Sequence, residues 1–293
     1  MRNIFLILFL SSFSYLFGQV DVRPFPTSEN SVFWEVSGNG LKSPSVIYGT
    51  MHLMTKDNFV LSKKVVKSLK KSEILLMELD ATEASSSMLD LITLKDGSFF
   101  DFFSTEEIDS ILEWGTVNLH VDSATFRFVF DKLKPFVLLQ QAIATAYPDE
   151  TESYELHFEE VAKKNSIKIL GLETMEEQIS LFDKIEDSIL AELVMDAIRS
   201  TEKSKAELIE LEEVYLKGNI DELYAFGIET DASVTAENKL FIIDRNVKWI
   251  PLIIEQIKLS KTFIAVGAGH LGGQSGVIRL LEAEGYTLTP IKL

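Results

Sequence analysis

Four short apolar runs in this chain each end on a side chain that can carry a proton or bind a metal ion. They are SVIYGTMH at residues 45–52, EILLMELD at 73–80, IKILGLE at 167–173 and TFIAVGAGH at 262–270. A continuous apolar run of this length, bounded by turn residues, is the mark of a strand buried on both faces. In sheets made of such strands, ligands collect beyond the carboxyl ends. The pattern therefore predicts that His52, Glu78, Glu173 and His270 meet on one rim. Two of the runs also share the spelling Gly-x-x-His. With 15 Gly and 4 His in 293 residues, composition alone gives about 0.2 such matches. The pair Gly49–His52 and Gly267–His270 needs a physical cause. Gly49, Gly171 and Gly267, just upstream of three of the four side chains, allow the backbone to turn sharply there.

The rest of the chain supplies the helices that such a sheet needs. Residues 31–40 and 45–52 read as a hairpin joined through Gly-Asn-Gly and Ser-Pro-Ser. Residues 61–72 read as an amphipathic helix with Val65, Val66 and Leu69 on its apolar side. Residues 82–165 and 175–258 read as helical, with a capping box at Ser104–Glu107 and Pro135 in a first turn. A last helix ends at Gly285 and a last strand follows. Strands alternating with helices at both ends of the chain predict an α/β fold. Its centre is a mixed, largely parallel sheet flanked by helices, with a long helical insertion or cap in the middle of the chain. The expected organisation is a signal peptide at 1–18 and one domain at 19–293.

The signal-peptide reading rests on Arg2 followed by an apolar stretch from Ile4 to Phe17, too short for a comfortable membrane span. It predicts export to the periplasm or beyond, with no stable membrane insertion of the mature chain. A formal net charge of −17 disfavours nucleic acid and anionic membrane surfaces as partners. Cysteine is absent, so thiol nucleophiles, cysteine zinc sites and structural disulfides are excluded.

Two imidazoles and a carboxylate are a first shell for a divalent ion such as Mn, Co or Zn. His52, Glu78 and His270 are the candidate ligands. Such an ion lowers the pKa of bound water, and a spare carboxylate, Glu78 or Glu173, can then act as base. Arg245 and Asn246 interrupt an apolar helix. Such residues usually form a solvated face, but an arginine there can also hold a substrate carboxylate or an oxyanion. His120 and His157 lack ligand spacing and Gln178 reads as a surface or capping residue. GAGHLG also matches the dinucleotide fingerprint G-x-G-x-x-G. That fingerprint wants an acid at the end of the next strand, and YTLTPIKL has none. The glycines fit better as the turn that aims His270.

The ordered set Gly49-Thr50-Met51-His52, Glu78-Leu79-Asp80, Gly171-Leu172-Glu173-Thr174, Arg245-Asn246 and Gly267-Ala268-Gly269-His270-Leu271 resembles the TraB/GumN family, bacterial relatives of the Tiki proteins, from about residue 30 to the end. The resemblance implies a hydrolase-like fold with His52, Glu78 and His270 at its site and Glu173, Arg245 and Asn246 beside them. Animal Tiki members are regarded as divalent-metal proteases, and more distant relatives include erythromycin esterases. The expected function is a metal-dependent hydrolase acting on a peptide. The alternatives are a metal-independent esterase in which His52 activates water on a small ester, and a non-catalytic protein that binds a peptide or a metal.

Overall fold

The computed structural model describes residues 30–80, 88–147, 150–228 and 239–293. The segment read as a signal peptide lies outside them. In chain order the elements are β1 (Phe33–Gly38), β2 (Ser45–Thr50), β3 (Met54–Thr55), α1 (Lys63–Lys70), β4 (Ile74–Leu79), α2 (Met88–Ile92), α3 (Thr105–Asn118), α4 (Ser123–Phe130) and α5 (Pro135–Ala144). They continue with β5 (Thr151–Glu152), α6 (Tyr154–Lys164), β6 (Lys168–Glu173), α7 (Met175–Ile179), α8 (Asp187–Arg199), α9 (Thr201–Lys217) and α10 (Ile220–Ile228). The last are α11 (Asp244–Leu259), β7 (Thr262–Gly267), α12 (Val277–Ala283) and β8 (Tyr286–Pro290). Among the described residues the chain forms two compact units. One takes residues 88–147 and 175–208, the other residues 30–80, 150–174, 209–228 and 239–293.

The first unit is helical. Its α3 opens with the expected capping box: the Glu107 amide donates to Ser104 Oγ at 3.3 Å, and the Ser104 amide donates to Glu107 Oε2 at 2.9 Å. Both orphan donors at the helix start are thereby satisfied. Helices α3 and α4 pack closely because Gly115 has no side chain; a Cβ there would lie 2.5 Å from the Phe126 ring. The helical stretch expected over 82–165 does not stay in one unit, since β5 and α6 belong to the sheet.

The second unit carries a six-stranded sheet in the order β6-β4-β7-β2-β1-β8. The first four strands are mutually parallel, and β1 and β8 add to the edge antiparallel. The fold is thus α/β with a mixed, mostly parallel sheet, as the four apolar runs predict. The β1–β2 hairpin turns through Gly38 and Gly40 at φ 78° and 79°, with Asn39 at φ 44°, a left-handed stretch that Gly and Asn tolerate. Every residue of β2 and β7 is buried, which explains why their sequences do not alternate.

One sheet face packs on α6 through rings. Phe158 meets Tyr48 edge-on at 5.3 Å and Phe263 at 5.1 Å, and Tyr48 lies 5.4 Å from Tyr154. The buried hydroxyls have partners: Tyr154 donates to the Val60 carbonyl at 3.1 Å, and Tyr215 to the Gly49 carbonyl at 2.9 Å. Phe158 is fully buried. Its replacement by alanine is expected to cost about 3–5 kcal/mol, measured as a lower midpoint in urea unfolding followed by the near-ultraviolet signal of the sheet unit.

Candidate functional site

Strands β6, β4, β7 and β2 are parallel neighbours, so their carboxyl ends lie along one edge. In register, Leu79 faces Glu173, Met77 faces Ala265 and Thr50 faces Gly267. The twin Gly-x-x-His units therefore sit on adjacent strands, β2 and β7, and deliver His52 and His270 to the same place. Their glycines are there for space. A Cβ on Gly49 would come within 2.7 Å of Leu271 Cδ1 and 3.0 Å of Ala268 Cα. A Cβ on Gly267 would stand 3.2 Å from Glu78 Oε1, 3.5 Å from His270 Cδ2 and 3.7 Å from His52 Nε2. Beyond Gly267 the chain makes a tight 3-10 turn, Ala268–His270, rather than continuing the strand.

Helix α11 leads into β7, so its first turn lies at this same edge. It brings Arg245 and Asn246, both buried rather than on a solvated face. The guanidinium occupies the middle of the constellation. Nη2 donates to Glu78 Oε2 at 2.6 Å and also to Glu173 Oε1. Nε donates to Glu173 Oε1 at 3.0 Å, and Nη1 to the Phe241 carbonyl at 3.2 Å and to His270 Nε2 at 3.1 Å. All five of its N–H groups are thereby used. Its plane also packs on Trp249, 4.5 Å from the ring centroid. The Trp249 indole donates to Glu173 Oε2 at 3.3 Å, and the Gly267 amide to Glu78 Oε1 at 2.7 Å.

The partners decide the tautomers. Asn246 Nδ2 donates to the His270 and Ser275 carbonyls at 3.2 and 2.8 Å, so its Oδ1 faces His270 Nδ1 at 2.7 Å. His270 therefore carries its proton on Nδ1 and offers the Nε2 lone pair to Arg245. Burial, helped by the positive charges of Arg245 and His52 and opposed by Glu78, lowers the pKa of His270 to about 3. His52 is in the opposite condition. Its Nδ1 lies 2.9 Å from Glu155 Oε1, and Glu155 Oε2 accepts from Ser153 Oγ at 3.0 Å. Burial pulls the His52 pKa down, but the charge and hydrogen bond of Glu155, with Glu78 behind them, raise it to about 9. Glu78 resists burial through Arg245 and the two histidines, and its pKa falls to about 2. The side chains of His52 and Glu155 are 22% and 20% exposed, whereas those of Arg245, Glu78 and Glu173 are 3%, 7% and 3%. The site thus opens to water at His52.

A divalent ion held by His52, Glu78 and His270 would need the one lone pair of His270 Nε2, which accepts from Arg245, and would share Glu78 with its present donors. His270 Nε2 and Glu78 Oε2 accept from Arg245, and Glu78 Oε1 accepts from Gly267. Among the described residues no group of three or more His, Asp or Glu side chains is placed to hold a metal ion. As arranged, Arg245 fills the space between His270, Glu78 and Glu173.

The six side chains singled out from sequence, His52, Glu78, Glu173, Arg245, Asn246 and His270, lie together. Glu155 was not among them: it stands in the first turn of α6 beside many other acids, and nothing local marks it. Trp249 was missed for the same reason, as one more apolar helix residue. His120 is exposed, and His157 pairs with Glu152 at 2.9 Å and stacks on Phe59. Gln178, expected to be a surface or capping residue, is buried.

A model of the TraB/PrgY/gumN family matches residues 32–290. The chain belongs to this family. The match covers every strand of the sheet from β1 to β8 and all the side chains just described. No curated protein and no solved structure matches the chain. No helix among the described residues is long and apolar enough to cross a membrane.

The two histidines give a pH dependence of stability with a defined sign. His270 is neutral in the folded state, so its contribution is complete above its unfolded value of about 6.5 and is lost as pH falls toward 3. Glu78 adds to the same acid limb as pH drops from about 4.5 to 2. His52 favours its protonated form, so its contribution is complete below about 6.5 and is lost as pH rises through 9. Stability of the sheet unit should therefore peak near pH 6.5. In urea titrations from pH 3 to 10, His270→Gln should flatten the acid limb above pH 4.5 and His52→Gln the alkaline one.

Proposed function

We propose that the chain is a hydrolase of acyl substrates, an ester or a peptide, in which His52 activates water without a metal ion. One observation carries this reading. His52 Nε2 makes no hydrogen bond to a described residue, faces the space beside Gly267, and belongs to an imidazole whose other nitrogen is held by Glu155. A carboxylate that accepts from Nδ1 leaves Nε2 as the basic atom and steadies the imidazolium once it has taken a proton. His270, with its lone pair committed to Arg245, would not serve as base. Arg245, Glu78, Glu173 and Asn246 would act as the rigid floor of the site.

With His52 protonated up to about pH 9, the fraction of active base grows with pH. The expected profile of kcat/KM rises to a plateau above pH 9. Glu155→Gln should move that rise to lower pH, because the carboxylate that stabilises the imidazolium is gone. His52→Gln should lower kcat/KM by about 10²–10⁴-fold. Gly267→Ala, whose methyl group would fill the space in front of His52, should abolish turnover in a protein that still folds. The probes are p-nitrophenyl acetate and a library of internally quenched peptides, offered to protein dialysed against a chelator and shown metal-free by elemental analysis. Turnover by that protein is the expected result.

A second reading is a divalent ion held by His52, Glu78 and His270. Their approach to one point beside Gly267 favours it, but it requires Arg245 to release His270 and Glu78. Turnover that vanishes in chelator and returns with Mn, Co or Zn would establish it in place of the first. Binding of a peptide without turnover would instead support the non-catalytic alternative. Export belongs to the same proposal: N-terminal sequencing of the native protein should begin near Gln19 and find it outside the cytoplasm.

A further inference from the structure

Glu212 lies on α9 with 1% of its surface exposed. Its neighbours Leu211, Val214 and Tyr215 are buried too, and a carboxylate among them is costly unless its oxygens are satisfied. They are. Oε1 accepts from the Thr55 amide at 2.6 Å, and Oε2 accepts from Thr55 Oγ1 at 2.7 Å and Asn58 Nδ2 at 2.6 Å. All three donors come from one short segment that begins three residues after His52. An apolar residue would fill the same volume without desolvation; what it could not do is hold that segment.

The segment leads to both halves of the His52–Glu155 pair. Thr55 ends β3, which pairs with β5 through Met54 opposite Glu152 and Thr55 opposite Thr151. Strand β5 passes directly into Ser153, whose hydroxyl caps α6, and then to Glu155. A two-residue ribbon thus connects the strand after His52 with the strand before Glu155, and Glu212 grips it at Thr55. One turn further along α9, the Tyr215 hydroxyl donates to the Gly49 carbonyl at 2.9 Å. Helix α9 therefore anchors the backbone three residues before His52 and three residues after it.

We propose that Glu212 is a positioning residue: through Thr55 and Asn58 it sets the ribbon that keeps His52 Nδ1 on Glu155, with Tyr215 as the second anchor. Glu212 touches no reacting group. The inference rests on the reading of His52 as the water-activating base, but its test has a readout that does not need turnover.

The full chain is labelled with ¹⁵N-histidine, and the His52 Nδ1 proton is assigned by its loss in His52→Gln. In the wild type this proton should be shifted downfield and slow to exchange, as a hydrogen bond to a carboxylate requires. Glu212→Ala should broaden or remove the signal. On p-nitrophenyl acetate it should also lower kcat by about 10–100-fold at nearly unchanged KM, the expected consequence of a base displaced by about 1 Å. It should add nothing in a His52→Gln background. Glu212→Gln, which keeps an acceptor for the Thr55 amide, should recover most of both signals. If Glu212→Ala does not fold, Asn58→Ala removes one donor and should show the same changes to a smaller degree. A wild-type Nδ1 signal in the folded variants would overturn the proposal. So would a loss of kcat that tracks the unfolded fraction and persists in the His52→Gln background. If no probe is turned over by the wild type, the reading of His52 as base fails, and the Nδ1 signal alone decides whether Glu212 positions the pair.

Discussion

The buried guanidinium of Arg245 is the contact around which the sheet's carboxyl edge is organised. It stands near the start of α11 and is buried, so its charge carries a desolvation cost. Two carboxylates from two strands, Glu78 and Glu173, offset that cost, and neither would be stable in the interior without it. The same group satisfies the lone pair of His270, and Trp249 covers its face. A helix, two strands and the turn after a third are thus tied through one side chain. Removing one partner from such a buried set typically costs about 3–5 kcal/mol, because the others are left uncompensated.

This arrangement separates two histidines that the sequence presents as twins. His270 is enclosed, neutral and fixed as an acceptor. His52 is partly open to water and held toward its cationic form by Glu155. The same tetrapeptide spelling therefore produces one enclosed imidazole and one partly open to water. The difference comes from what lies against each ring: Arg245 and Asn246 for the first, Glu155 for the second.

The sheet and its rim were legible in the sequence because both follow from local patterns. Apolar runs without alternation mark parallel strands buried on both faces, and strand ends in parallel sheets share an edge. The twin glycines were legible as places of close approach, and the structure supplies the atoms that approach. The protonation and donor roles were not legible. They depend on Arg245 lying between the carboxylates and His270, and on Glu155 reaching His52 from a segment 103 residues away. An acid in the first turn of a helix reads as a favourable interaction with the helix dipole, and Glu155 satisfies that description completely. Glu212 is one of several acids along α9, and only its burial sets it apart.

The ribbon of β3 and β5 also bears on when the site comes into being. It joins residues near 54 to residues near 151, and Glu212 grips it from 157 residues beyond Thr55. Contacts of such long sequence separation are slow to form, because the chain must close large loops before it gains from them. Local elements such as the β1–β2 hairpin can form early with His52 two residues beyond its end, yet the ring has no carboxylate beside it until these distant segments have met. A partly folded chain therefore carries the histidine without its partner, and the chemistry of the pair is a property that only the completed sheet unit possesses.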